Sequence, residues 1–198
     1  MKTLYESLLD DFDTIATNAD PRKEVEEFLK INVDEYKNLV ISKTPNKDGI
    51  YEVSSRGSVT FYGRNYPTRL TNGLFIWTKV KGDFDCSYNY LLETLEGGPN
   101  EIGGTFNCGH CEKLITLEGA PKKIGGDFEC DWCESLLSLI GAPEIFPGDF
   151  NCGYCESLRT LKYSPKEVKG NYFCAICGKG FTKQEVFDNT DVGGRTAV

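Results

Sequence analysis

Leu4, Leu8, Phe12 and Ile15 recur at the spacing that lines one face of a helix, and predict an amphipathic helix over residues 3–18. Asp20-Pro21 then opens a second helix, with Asp as N-cap and Pro at the first helical position. Val25, Phe28 and Leu29 give it an apolar stripe, and it should end between Lys30 and Asn32. From Tyr36 the pattern changes to short β-prone runs: Leu39-Val40-Ile41, Ile50 to Val53, and Ser58 to Tyr62. Pro45 to Gly49 and Arg56-Gly57 supply turns between them, so the runs predict a small antiparallel meander.

From residue 82 a fixed period takes over. Cys86, Cys108, Cys130, Cys152 and Cys174 stand 22 residues apart, and Asn89, Cys111, Cys133, Cys155 and Cys177 form a second column three residues later. The common pattern of the four copies over 82–169 is G-x-F-x-C-x-x-[C/N]-x-x-L-x-x-L-x-G-x-P-x-x-I. Such self-similarity marks a stacked repeat. Phe128-Glu129-Cys130-Asp131 alternates with period two, so Phe and the first Cys face inward on a short strand. Leu136, Leu139 and Ile124 line the same core. Stacking the coils pairs their strands in parallel. A degenerate copy precedes them: stepping back 22 residues from Phe84, Leu92 and Ile102 reaches Tyr62, Leu70 and Val80, while Arg64 and Pro67 replace the cysteines. Thr182 to Glu185 reads as a capping box, with Val186 and Phe187 as apolar contacts of a closing helix.

The predicted fold is therefore an α+β repeat, with N-terminal helices and a β-meander over residues 1–59. A solenoid with parallel strands follows over 60–198. It divides into the degenerate repeat 60–81, the repeats 82–169, a partial repeat and helical cap 170–190, and a loose tail 191–198.

The repeat segment Phe128-x-Cys130-x-x-Cys133-x-x-Leu136 resembles the leucine-rich-repeat segment L-x-L-x-x-[N/C]-x-x-L. The stretches LEGAPKKIGGDFECDWC and CAICGKGFTKQEVF, with the helical and β N-terminus, resemble the small leucine-rich-repeat proteins of tailed phages. The likeness covers residues 33–190. Those proteins usually carry Asn where this chain has Cys111, Cys133 and Cys155. The resemblance implies a ladder in which Asn89, Cys111, Cys133, Cys155 and Cys177 point inward and hydrogen-bond turn backbone. It also implies a viral protein acting in a bacterial cytoplasm.

Composition narrows the function classes. The 198 residues carry a net charge of −8 and nine cysteines. An acidic chain is a poor nucleic-acid binder, because that affinity rests on Lys and Arg at phosphates. There is no apolar run long enough for a membrane span and no secretory leader, so reduced cysteines in a cytoplasm are expected. Charge is uneven: residues 51–81 carry five basic and one acidic residue, whereas 82–181 carry eight and fifteen.

Two readings compete for the cysteines. Cys152-x-x-Cys155 and Cys174-x-x-Cys177 have zinc-ribbon spacing, which makes a zinc-stabilised regulator the alternative to a cofactor-free solenoid. Asn89 favours the ladder: it occupies the second column of a well-formed repeat and is a poor zinc ligand. No catalytic constellation stands out, and His110 is the single histidine, so no enzyme is expected.

The outward positions carry the functional expectation. Tyr88, His110, Trp132, Tyr154 and Ile176 form one column, four of them rings. Asp83, Asp127 and Asp149 stand in another, Asp85 and Glu129 in a third, with Asp131 beside them. Tyr and Trp dominate interface energetics, and carboxylates in register repel until a basic partner relieves them. These residues are expected to bind a protein with a basic surface; the resemblance to phage proteins implies that the partner is a host or anti-phage defence protein, and leaves open whether binding inhibits it.

Overall fold

The computed structural model describes residues 20–62 and 67–198. The expected helix over 3–18 and Arg64 lie outside them. The second helix is present as α1 (Pro21–Asn32), with the Asp20 side chain accepting from the Arg22 N–H at its start. Val25 and Leu29 are buried, and Phe28 packs on Phe61 and Phe75 at ring separations of 6.1 and 5.7 Å. The helix thus closes the N-terminal end of a single continuous core.

That core is a parallel β-solenoid in which every coil carries two short strands, forming two stacks. The first stack contains β1 (Leu39–Ile41), β2 (Tyr51–Ser55), β4 (Phe75–Val80), β6 (Glu101–Ile102) and β8 (Lys123–Ile124). It resumes as β10 (Ile145–Phe146), β12 (Glu167–Val168) and β14 (Asp191–Val192). The second stack is unbroken: β3 (Val59–Thr60), β5 (Phe84–Asp85), β7 (Phe106–Asn107), β9 (Phe128–Glu129), β11 (Phe150–Asn151), β13 (Tyr172–Phe173) and β15 (Thr196–Ala197). The gap in the first stack has a local cause. At its corner, Gly103, Gly125, Lys169 and Gly193 each donate a backbone N–H to the preceding coil. The equivalent residue 147 is Pro, which has no N–H to give.

Phe84, Phe106, Phe128, Phe150 and Tyr172 stack along the interior at centroid separations of 5.1 to 6.1 Å. With the first-column cysteines they are buried, as the alternation predicts. On the outside of the first stack, Glu101 bridges Lys79 and Lys123 at 3.0 and 2.9 Å. These two ammonium groups hold its carboxyl down to about 2. Such exposed pairs add little stability.

Three expectations are corrected. The antiparallel meander reduces to β1 on β2, because β2 and β3 pair in parallel with β4 and β5. Stacking therefore begins near residue 51, ahead of the boundary expected at 60. The early coil is also three residues longer, since Val59 and not Tyr62 lies opposite Phe84, and Tyr62 is exposed. Antiparallel cover by β1 and by a Val33–Phe61 bridge closes both N-terminal sheet edges, as an aggregation-prone edge requires. The third correction concerns the tail. Residues 191–198 are not loose: β14 and β15 extend both stacks in parallel. The capping box is present at Thr182 and Glu185, and α2 (Lys183–Phe187) buries Val186, while Phe187 is left 52% exposed.

Candidate functional site

The ladder is built first, because it fixes the turn that carries the outward residues. After each second-stack strand the chain turns sharply, and the second-column side chain points into the core. Cys111, Cys133, Cys155 and Cys177 direct Sγ to the carbonyls of Cys86, Cys108, Cys130 and Cys152 at 3.4, 3.2, 3.2 and 3.0 Å. Each bond ties one coil to the coil before it. Asn89 obeys the same rule with a stronger donor: its Nδ2 reaches Phe61 O at 2.8 Å and its own coil's Cys86 O at 2.7 Å. A thiol must keep its proton to donate. Burial pushes the thiols of the ladder donors Cys111 and Cys155 well up, as it does those of Cys86, Cys108, Cys130 and Cys152 in the core column, which suits donors and not nucleophiles; Cys177 departs, its thiol lowered by a hydrogen bond with Cys152 that outweighs its burial.

Cys152, Cys155, Cys174 and Cys177 thus lie in the ladder and core columns, all buried. Among the described residues no three His, Cys, Asp or Glu side chains group as a metal ion would need. The ladder makes a prediction of its own. Asn89→Ala removes these Nδ2 bonds and leaves the Phe61 carbonyl without its donor, while the Cys86 carbonyl keeps the Cys111 thiol, costing about 1–3 kcal/mol. Asn89→Cys, the solution used in the next four coils, should cost less than half as much in urea denaturation.

The residue before each ladder position occupies the left-handed region: φ is 58° at Tyr88, 57° at His110, 56° at Trp132, 57° at Tyr154 and 58° at Ile176. Their N–H groups donate forward to Gly109, Asp131, Gly153 and Ala175 for the first four. The turn throws their side chains outward. Tyr88 and His110 stack at 4.4 Å, His110 and Trp132 at 5.6 Å, Trp132 and Tyr154 at 4.2 Å, all within 10° of parallel. Tyr90 meets Tyr88 edge-on at 6.4 Å. Glycine would occupy each turn without the cost of roughly 1–2 kcal/mol that a Cβ brings there. Ring stacking, worth about 0.5–1.5 kcal/mol a pair, offsets part of that cost. The rings stay accessible, Tyr88 at 57%, Trp132 at 40% and Tyr154 at 37%. Among the described residues, the phenol, imidazole and indole polar groups of these four rings have no hydrogen-bond partner.

The carboxylates divide into two groups. Asp83 accepts the Thr105 N–H at 2.8 Å, Asp127 that of Asp149 at 2.8 Å, and Asp149 that of Asn171 at 2.7 Å. Ser58, Thr105 and Asn171 continue the same chain of bonds. This column is a second ladder, at the corner between the two stacks. Its charges are relieved by backbone N–H groups within the protein, contrary to the expectation that a basic partner is needed. Asp85, like Asn107 and Asn151, closes a turn onto the N–H two residues on. Glu129 departs from that column. Burial raises its carboxyl above the ordinary range; a hydrogen bond with Asn151 opposes the rise, and the charges of Asp131, Asp127 and Asp149 add to it.

The site that emerges is the ring stack flanked by Asp85, Glu129 and Asp131. It sits on the acidic part of the solenoid: residues 82–158 carry 14 acidic and 3 basic residues, and 159–198 carry 4 and 7. The structure adds residues that the sequence columns did not single out. Tyr90 and Leu91 lie exposed beside Tyr88, and Ile115 and Leu137 are exposed on adjoining coils. They break the polar rule of the columns that Glu112, Glu134 and Arg159 continue, and that departure was the available signal. No helix of the described residues is long and apolar enough to cross a membrane. No family model, curated protein or solved structure matches the chain.

Proposed function

We propose that this chain is a non-enzymatic protein-binding module, and that the four-ring stack with its flanking carboxylates is the contact surface. The observation that carries the reading is the stack itself: four aromatic or imidazole rings held outward on strained turns, accessible, with unpartnered polar groups. Exposed Tyr and Trp clusters of this kind mark interfaces. Asp85, Glu129 and Asp131 select a basic partner surface. The likeness of the repeats to phage leucine-rich-repeat proteins adds a second layer to the proposal, a phage-encoded protein that occupies and inhibits a host or defence protein.

Trp132→Ala with Tyr154→Ala should leave the solenoid folded by circular dichroism and reduce capture of the partner from bacterial lysate at least tenfold. Undiminished capture of the same protein would remove this face from consideration.

Glu129 supplies an independent check. A carboxyl whose folded pKa is raised destabilises the fold when ionised, above that pKa, and does not when both states are protonated. Glu129→Gln should therefore raise the melting temperature at pH 7 and leave it unchanged below about pH 4, where model carboxylates are protonated. The same change should weaken partner binding. A gain in stability with a loss of binding is the mark of a residue kept for contact; a gain in both would assign Glu129 no role.

A further inference from the structure

The stack restricts what can lie on it. Its rings are parallel and 4.2 to 5.6 Å apart, so the faces of His110 and Trp132 are covered by their neighbours. Sugars and nucleobases stack on ring faces, and the inner rings have none to offer. What they present is a row of edges with spare donors: phenol O–H, imidazole N–H and indole N–H. A ligand for such a row must bring a line of free acceptors at a matching interval.

We infer that the surface binds an extended, proline-rich segment in the polyproline II conformation, bearing Arg or Lys at one end; this rests on the binding reading above and names its partner. Three features select that ligand. Polyproline II has no internal hydrogen bonds, so its carbonyls are free, and proline has no N–H to compete. An α-helix has already used its carbonyls. The second feature is the interval. Polyproline II repeats every three residues, about 9.3 Å, which matches two coils of roughly 4.8 Å each. A β-strand presents like groups about every 6.8 Å and falls out of step with the coils. The third is charge. Asp85 and the Glu129–Asp131 pair sit along the row and attract basic side chains at one end of the segment. The segment lies along the solenoid axis, across the coils from Tyr88 to Tyr154.

The test is calorimetric titration of the intact chain with three capped peptides. One has eight prolines followed by two arginines. The second keeps the arginines but replaces the prolines with alanine and glutamine. The third keeps the prolines but ends in two glutamates. The first should bind at least tenfold more tightly than the others. Trp132→Phe, which keeps a ring in the stack but removes the indole donor, should weaken it about fivefold; Trp132→Ala with Tyr154→Ala should weaken it tenfold or more. Equal binding of the first two peptides sinks the polyproline inference and leaves the basic-partner reading standing. Tight binding of the first peptide that ignores both sets of variants sinks the face as well. If no peptide binds below about 1 mM, the inference is overturned, while partner capture by wild type and not by the double variant would still uphold the face.

Discussion

Phe128→Ala is expected to destabilise the solenoid by about 3–5 kcal/mol, the range for a fully buried Phe reduced to Ala. Phe128 has no exposed surface and touches Phe106, Phe146 and Phe150 at ring separations of 5.2, 5.8 and 5.6 Å. Its loss opens a cavity at the centre of the core and weakens contacts to the coils on both sides. Since typical domains hold only about 5–15 kcal/mol in total, that is a large share. The two tryptophans report on different regions. Trp77 is buried toward the N-terminal end, where its Nε1 donates to Leu70 O at 3.1 Å, and Trp132 stands in the central ring stack. Stability in a solenoid is close to a sum of neighbouring contacts. The Trp132 signal should therefore change at a lower urea concentration than the Trp77 signal, each followed with the other Trp replaced by Phe. Phe187→Ala, at an exposed position, should stay within about 0.5 kcal/mol. Equal losses at Phe128 and Phe187 would contradict the continuous core.

The inward side of the second-stack strands was legible because it is periodic and chemically uniform. Phe106, Phe128 and Phe150 stand 22 residues apart, and a strand that buries Phe and Cys alternates by two. Asn89 identified the ladder, since one departure from Cys that preserves hydrogen bonding excludes most other uses of the column. The two-residue first-stack strands from β6 onward were not legible. Two residues such as Glu101–Ile102 place a single side chain inward, too short a run to show alternation. The corner ladder of Asp83, Asp127 and Asp149 looked like a row of free charges, because the N–H groups that relieve it belong to the next coil's backbone and leave no trace in residue type. The long first coil escaped for another reason: stepping by 22 reached Tyr62, which is apolar enough to fit, while the true partner Val59 stands 25 residues before Phe84. The ring column itself was visible as a column. That its faces are mutually covered, which changes the ligand it can take, follows only from the parallel stacking.

Gly119→Ala is expected to cost about 2–5 kcal/mol, from two separable causes. Gly119 has φ +90°, and an L side chain in that region costs roughly 1–2 kcal/mol. A Cβ there would also lie 2.3 Å from both Glu96 N and Leu95 C, backbone atoms of the preceding coil that move only if the stack opens. Forcing such a shift adds about 1–3 kcal/mol, the range for overpacking a closed core. Gly49 separates the two contributions. It has φ +78°, and nothing lies within 4 Å of its would-be Cβ. Gly49→Ala should therefore show the conformational cost alone. The difference between the two midpoints in urea, at equal slope, measures how closely the coils approach. The chain supplies its own comparison in the same column, where Gly97, Gly119 and Gly141 give way to Tyr163. Tyr163 is exposed and its φ is not positive, so that coil is routed differently at this corner. Equal costs at Gly119 and Gly49 would mean that the coils are not in backbone contact here, and that the glycine column follows from turn geometry alone.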